Sequence, residues 1–88
     1  MKTQDPVNHI RFYATSWCPD CLRAKTILIK TKAPYKLIDI DQDPEGLEFV
    51  KEVNNGNRSV PTIIFPDGSK LVEPSSKELK KKIAAFFP

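Results

Sequence analysis

Only two residues separate the chain's two cysteines, Cys18 and Cys21, and they stand where an alternating apolar segment gives way to a helical pattern. That placement calls for a strand, a short loop and a helix beginning at the first cysteine. One helical turn then keeps the two Cα atoms within the roughly 4.4–6.8 Å that a disulfide spans, so the pair can alternate between dithiol and disulfide. At a helix N-terminus the unpaired backbone N–H groups and the positive end of the dipole favour a thiolate, the attacking form of sulfur. Cys18 is therefore the candidate nucleophile and Cys21, one turn deeper, the candidate resolving thiol. Pro19 suits the first helical position, having no N–H to leave unpaired and a φ already near the helical value. Asp20 acts in both directions: its charge suits a helix start and opposes a thiolate beside it.

Around this motif the periodicities alternate. Ile10, Phe12 and Ala14 interleave with His9, Arg11 and Tyr13, as in a strand with two different faces. From Pro19 to about Thr31, Leu22, Ala24, Ile27, Leu28 and Ile29 recur among Arg23, Lys25 and Lys30, a broad apolar coverage that suits a helix lying on a sheet. Ala33-Pro34 stops it, because the residue before a proline is pushed out of the α region. Tyr35 to Ile40 reads as a second strand. Asp43, Pro44 and Glu45 then open a helix carrying Leu47, Phe49, Val50 and Val53, which ends at Asn54-Asn55-Gly56-Asn57. Past Arg58-Ser59-Val60-Pro61, the run Thr62-Ile63-Ile64-Phe65 turns at Pro66-Asp67-Gly68-Ser69 and returns as Lys70-Leu71-Val72-Glu73. Ser75 and Glu78 have capping-box spacing ahead of a last helix striped by Leu79, Ile83, Ala84, Phe86 and Phe87. The order β-α-β-α-β-β-α implies an α/β fold, a four-stranded mixed sheet with three helices over both faces.

A chain of 88 residues has room for one modest core, so 1–88 reads as a single domain, with residues 1–8, polar and without either period, as a flexible tail. No apolar run approaches the ~20 residues of a membrane-spanning helix, and the opening residues lack the apolar stretch of a signal peptide. The expectation is a cytoplasmic monomer without membrane attachment, a compartment in which a close cysteine pair is catalytic rather than structural. The net charge of +3 owes much to Lys77, Lys80, Lys81 and Lys82, which read as a solvated helix face and not as a nucleic-acid patch. His9, the only histidine, lies near the start of a strand well before the cysteines and reads as a surface residue.

With Cys18-Pro19-Asp20-Cys21 between the first strand and the first helix, and Val60-Pro61 before the third strand, residues 9–87 resemble the thioredoxin fold and, within it, the glutaredoxins. Trp17-Cys18-x-x-Cys21-Leu22, the stretch Gly56 to Thr62, Asp67-Gly68-Ser69 and Pro74-Ser75 are most similar to the short glutaredoxins called mycoredoxins. The resemblance implies a thiol–disulfide oxidoreductase in which Cys18 attacks and Cys21 resolves. It also implies a cis proline at Pro61, which the residues alone would not suggest because only ~5–6% of X-Pro bonds in folded proteins are cis. Val60 would offer its backbone to the substrate. No bound cofactor is implied; a low-molecular-weight thiol, glutathione or mycothiol, would serve as co-substrate. Asp67, Gly68 and Ser69 would contact it through backbone donors and a hydroxyl, Arg58 would grip its carboxylate, and Trp17 and Pro19 would border the nucleophile, Trp17 as an apolar platform.

Thr15 and Asp20 depart from glutathione-using members, which carry a lysine three residues before the nucleophile and a tyrosine between the cysteines. The motif W-C-P-D-C is also that of a thioredoxin-related protein reduced by thioredoxin reductase. The leading expectation is therefore reduction of protein or mixed disulfides by glutaredoxin-like chemistry. The rival is a dithiol electron donor to one dedicated protein, such as a ribonucleotide reductase or peroxidase, fed by thioredoxin reductase. A metal or iron–sulfur binding module is the alternative of another class. Two cysteines and a distant histidine fall short of four ligands, so it would need a cluster shared between two chains.

Overall fold

Each helix begins where a side chain takes up a backbone N–H that has no partner within the helix. In the computed structural model, which describes residues 9–87, Cys18 caps α1 (Pro19–Lys30) and Asp43 caps α2 (Pro44–Val53), its Oδ1 accepting from the Gly46 N–H at 3.0 Å. Ser75 caps α3 (Ser76–Phe86) in a capping box: the backbone N–H groups of Ser75 and Glu78 each donate to the other's side chain at 3.1 Å. Proline fills the start of α1 and of α2. The tail expected at residues 1–8 lies outside the described residues. No described helix is long and apolar enough to cross a membrane.

The strands are β1 (Ile10–Ala14), β2 (Tyr35–Asp39), β3 (Thr62–Ile64) and β4 (Lys70–Val72), so the observed order is the one expected from the periodicity, with ends displaced by a residue or two. They form one sheet in the order β2-β1-β3-β4. β1 pairs in parallel with β2, from Ile10 opposite Tyr35 to Ala14 opposite Asp39, and antiparallel with β3, Phe12 opposite Ile63. β3 and β4 pair antiparallel, Thr62 opposite Val72. Four strand ends consequently meet at one end of the sheet: the ends of β1 and β2, the start of β3 and the end of β4. The loop carrying Cys18, the Val60-Pro61 segment and Glu73-Pro74-Ser75 all lie there.

Alternation along the strands feeds two apolar layers. Ile10, Phe12 and Ala14 of β1 pack with Ile63 and Phe65 under α1 (Cys21, Ala24, Ile27, Leu28) and α3 (Leu79, Ile83). On the other face Tyr13, Ile40 and Ile64 pack under Val50 of α2, with Phe49 stacked on Tyr13. β2 is an edge strand, which is why its Leu37 remains 45% exposed although the pattern marked it apolar.

α2 approaches β2 closely at Gly46, where a Cβ would come within 2.7 Å of Ile38 Cγ2. That methyl belongs to a side chain that is stiff at χ1 and packed against the second apolar layer. Gly46→Ala gains up to ~1 kcal/mol of helix propensity and incurs overpacking of about 1–3 kcal/mol. The expected outcome is a lower melting temperature than wild type; an unchanged or higher one would show that Ile38 yields freely.

Candidate active site

The two cysteines are free thiols in different surroundings: Cys18 is half-buried, whereas Cys21 is only 3% exposed. As the N-cap of α1, Cys18 has extended backbone, and its Sγ accepts the Cys21 N–H at 3.2 Å. Its S–H donates in turn to the Val60 carbonyl at 3.9 Å. The N–H bond to sulfur strengthens when the sulfur carries charge. Burial pushes the Cys21 thiol up to about 12, helped by its hydrogen bond with Cys18 and by the neighbouring charges of Cys18 and Asp20, against a Thr15 backbone hydrogen bond that pulls it down. At neutral pH Cys21 therefore holds its proton, and Cys18 presents the accessible sulfur. Among the described residues no group of three or more His, Cys, Asp or Glu side chains could hold a metal ion.

The Val60-Pro61 peptide is cis. The Pro61 carbonyl accepts the Glu73 N–H at 2.9 Å, while the Val60 N–H has no partner among the described residues. A chain of hydrogen-bonded polar groups, running from the buried Thr62 and Asn54 out to the exposed Lys70, anchors this loop. The fully buried Thr62 Oγ1 donates to the Ser59 carbonyl at 2.7 Å and accepts from Asn54 Nδ2 at 3.0 Å, and the Lys70 ammonium donates to the Val53 carbonyl and to Asn54 Oδ1. Paired in this way, the segment from Asn54 to Pro61 is held at both ends.

Charged groups at the rim are matched. Trp17 is 66% exposed, and its Nε1–H donates to Asp41 Oδ2 at 2.9 Å. Asp41 Oδ1 accepts from Arg58 Nη2, also at 2.9 Å. Arg23 pairs with Asp20 at 3.4 Å and reaches the Pro74 carbonyl at 3.4 Å. Thr15 is buried, and its hydroxyl finds no partner among the described residues.

A glutaredoxin family profile matches residues 10–70, a span that includes both cysteines and the cis proline. The chain belongs to the glutaredoxin family. Mycoredoxin 1 of Corynebacterium glutamicum is 43% identical over 80 residues, covering 91% of this chain and 99% of that protein. A Mycobacterium tuberculosis protein carrying the glutaredoxin name is 47% identical over 74 residues, 84% of this chain and 88% of the relative. The buckwheat glutaredoxin–glutathione complex shares the fold with a TM-score of 0.71 at 20% identity, over 92% of this chain and 77% of its own. As a glutaredoxin, the chain is a thiol–disulfide oxidoreductase, and its likeness to a mycoredoxin agrees with the motifs that its sequence displays.

Within this glutaredoxin, Trp17, Pro19, Val60 and Pro61 gather around Cys18, with Arg58 joined to Trp17 through Asp41. Asp67, Gly68 and Ser69 do not. They form the β3–β4 turn at the opposite end of the strand, about 13 Å from Pro61 by the rise of four extended residues. There Asp67 accepts the Ser69 N–H at 2.8 Å and the Ser69 hydroxyl at 2.6 Å, which hold its carboxyl below the usual range. This corrects their placement at a thiol site: small polar residues flank the short β4 on both sides, and spacing alone does not say which turn faces the cysteines. The segment that does flank Pro61 is Glu73-Pro74-Ser75, where Glu73 adopts a left-handed φ of 48°. Asp41 escaped the sequence reading because its partners lie 24 and 17 residues away.

The asymmetry between the thiols has a direct readout. Cys18→Ser, whose remaining thiol is buried and protonated, should react with iodoacetamide at pH 7 at least ~10-fold more slowly than Cys21→Ser, with a rate still climbing at pH 10. Equal rates in the two variants would contradict the assignment.

Proposed function

We propose that the chain reduces protein disulfides, and mixed disulfides between proteins and a low-molecular-weight thiol of the glutathione or mycothiol class, acting as a cytoplasmic monomer. The observation that carries this reading is a single accessible sulfur, capping α1 beside a free backbone edge at Val60, with a protonated thiol buried behind it.

In the first step the Cys18 thiolate attacks one sulfur of the substrate disulfide. A Cys18–sulfur bond forms as the substrate S–S bond breaks, and the departing sulfur leaves with the electron pair and takes up a proton. The unpaired Val60 N–H supports pairing with the substrate backbone, Trp17 and Pro19 border the sulfur on the exposed side, and Arg58 is the cation that meets the carboxylate of an acidic thiol such as glutathione. The mixed disulfide then resolves by one of two routes. A second small thiol can attack its own kind in the adduct, releasing the oxidised thiol and regenerating Cys18. Alternatively Cys21 loses its proton and attacks the Cys18 sulfur: the Cys18–Cys21 bond forms as the Cys18–substrate S–S bond breaks, the substrate sulfur leaves with the electron pair and takes up a proton, and two electrons and two protons from small thiols or a reductase then restore the dithiol. Burial of Cys21, which disfavours its thiolate, slows the second route and favours the first.

The rival, a two-cysteine carrier fed by thioredoxin reductase, draws support from Thr15, whose buried position supplies no cation for a small thiol. Turnover of a mixed disulfide between a small thiol and a peptide separates the two readings. Cys21→Ser should retain activity with the matching free thiol as reductant. Loss of that activity, with wild type still reducing a protein disulfide through thioredoxin reductase, would replace the proposal by its rival.

A further inference from the structure

Asp41 connects two groups that flank the nucleophile. It accepts the Trp17 indole N–H through Oδ2 and the Arg58 guanidinium through Oδ1, both at 2.9 Å. Neither Asp41 nor Arg58 hangs on a free loop. The Asp41 N–H donates to Asp39 Oδ1 at 2.9 Å and the neighbouring Ile40 N–H to the Ala14 carbonyl at 3.0 Å, which ties Asp41 to the end of the sheet. Arg58 lies one residue before Ser59, whose carbonyl the buried Thr62 hydroxyl holds. The two side chains nevertheless remain open to solvent, 54% for Arg58 and 34% for Asp41, so an incoming molecule can reach both.

We propose that Asp41 is a specificity-determining residue: it occupies Arg58 in the free enzyme and competes with the carboxylate of an acidic thiol for that guanidinium. This rests on the reading of Arg58 as the cation that meets the small thiol. A carboxylate arriving at Arg58 either displaces Asp41 or shares the guanidinium with it. Displacement costs the existing pair, and sharing sets two anions side by side. Either way the site is biased toward thiols that bring little negative charge to this position. An exposed pair of this kind is worth a factor of about two to five in affinity. The Trp17 contact is separable from the charge, because an asparagine at position 41 keeps an oxygen for the indole N–H while losing its anion.

The test uses the reduced full chain in excess over a peptide disulfide-linked either to glutathione or to glutathione diethyl ester, reading the half-saturating enzyme concentration and the maximal rate of single-turnover reduction. Asp41→Asn should lower half-saturation for the glutathione-linked peptide about two- to five-fold, with the maximal rate and the ester-linked peptide unchanged. Arg58→Gln should abolish that gain when combined with Asp41→Asn. No gain in Asp41→Asn, an equal gain on the ester, or a gain that survives Arg58→Gln would overturn the proposal while leaving the disulfide chemistry standing. If Arg58→Gln changes nothing in either background, the role of Arg58 itself fails and the inference falls with it.

Discussion

The Cys21 N–H that donates to Cys18 Sγ closes the first turn of α1 and at the same time fixes the position of the sulfur. A side-chain acceptor satisfies an N–H that a helix start leaves unpaired, and here the acceptor is the proposed nucleophile. The same turn sends Cys21 inward to join the apolar layer of Ile10, Phe12, Ala14 and Leu28. Helix geometry thus separates two chemically identical thiols by one turn, leaving one at the surface and the other in an environment that penalises its charged form.

The partner of that turn arrives from distant sequence. Parallel pairing of β1 with β2 and antiparallel pairing with β3 bring the end of one strand and the beginning of another to a common edge, so Val60 meets Cys18 across 42 residues. A loop at such an edge needs its own restraint. The Lys70–Asn54–Thr62–Ser59 chain supplies it, with Asn54 and Thr62 buried and satisfying one another, and the Glu73 N–H locks the Pro61 carbonyl from the other side. On the rim, Asp41 performs the corresponding task for Trp17 and Arg58.

Much of this could be read from the sequence because the local signals were strong and agreed with one another. The caps at Asp43 and Ser75, the prolines at positions 19 and 44 and the alternation in β1 each point to one conformation, and their order admits few topologies. The pair Cys18 and Cys21 was legible because its function depends on local spacing. Features that depend on pairing across the sheet were not: nothing in the neighbourhood of Asp41 indicates Trp17 or Arg58, and nothing around Thr62 indicates Asn54. The cis peptide at Pro61 came from family likeness, since the residues alone favour trans. The turn at Asp67–Ser69 shows the opposite limit, where a correct turn assignment left its distance from the cysteines undetermined until the register of β3 and β4 was known.

In the proposed division of labour one sulfur, Cys18, receives the substrate while Cys21 waits behind it as a neutral thiol. The most direct test of this division is to mix reduced Cys21→Ser and reduced Cys18→Ser separately with one equivalent of a small-thiol disulfide at neutral pH and to map the products by intact-mass and peptide mass spectrometry. A stable adduct of one thiol should form at Cys18 in the first variant, and negligible adduct at Cys21 in the second over the same time. Comparable adduct at Cys21 would show that burial does not silence that thiol, and would contradict the division of labour on which the mechanism rests.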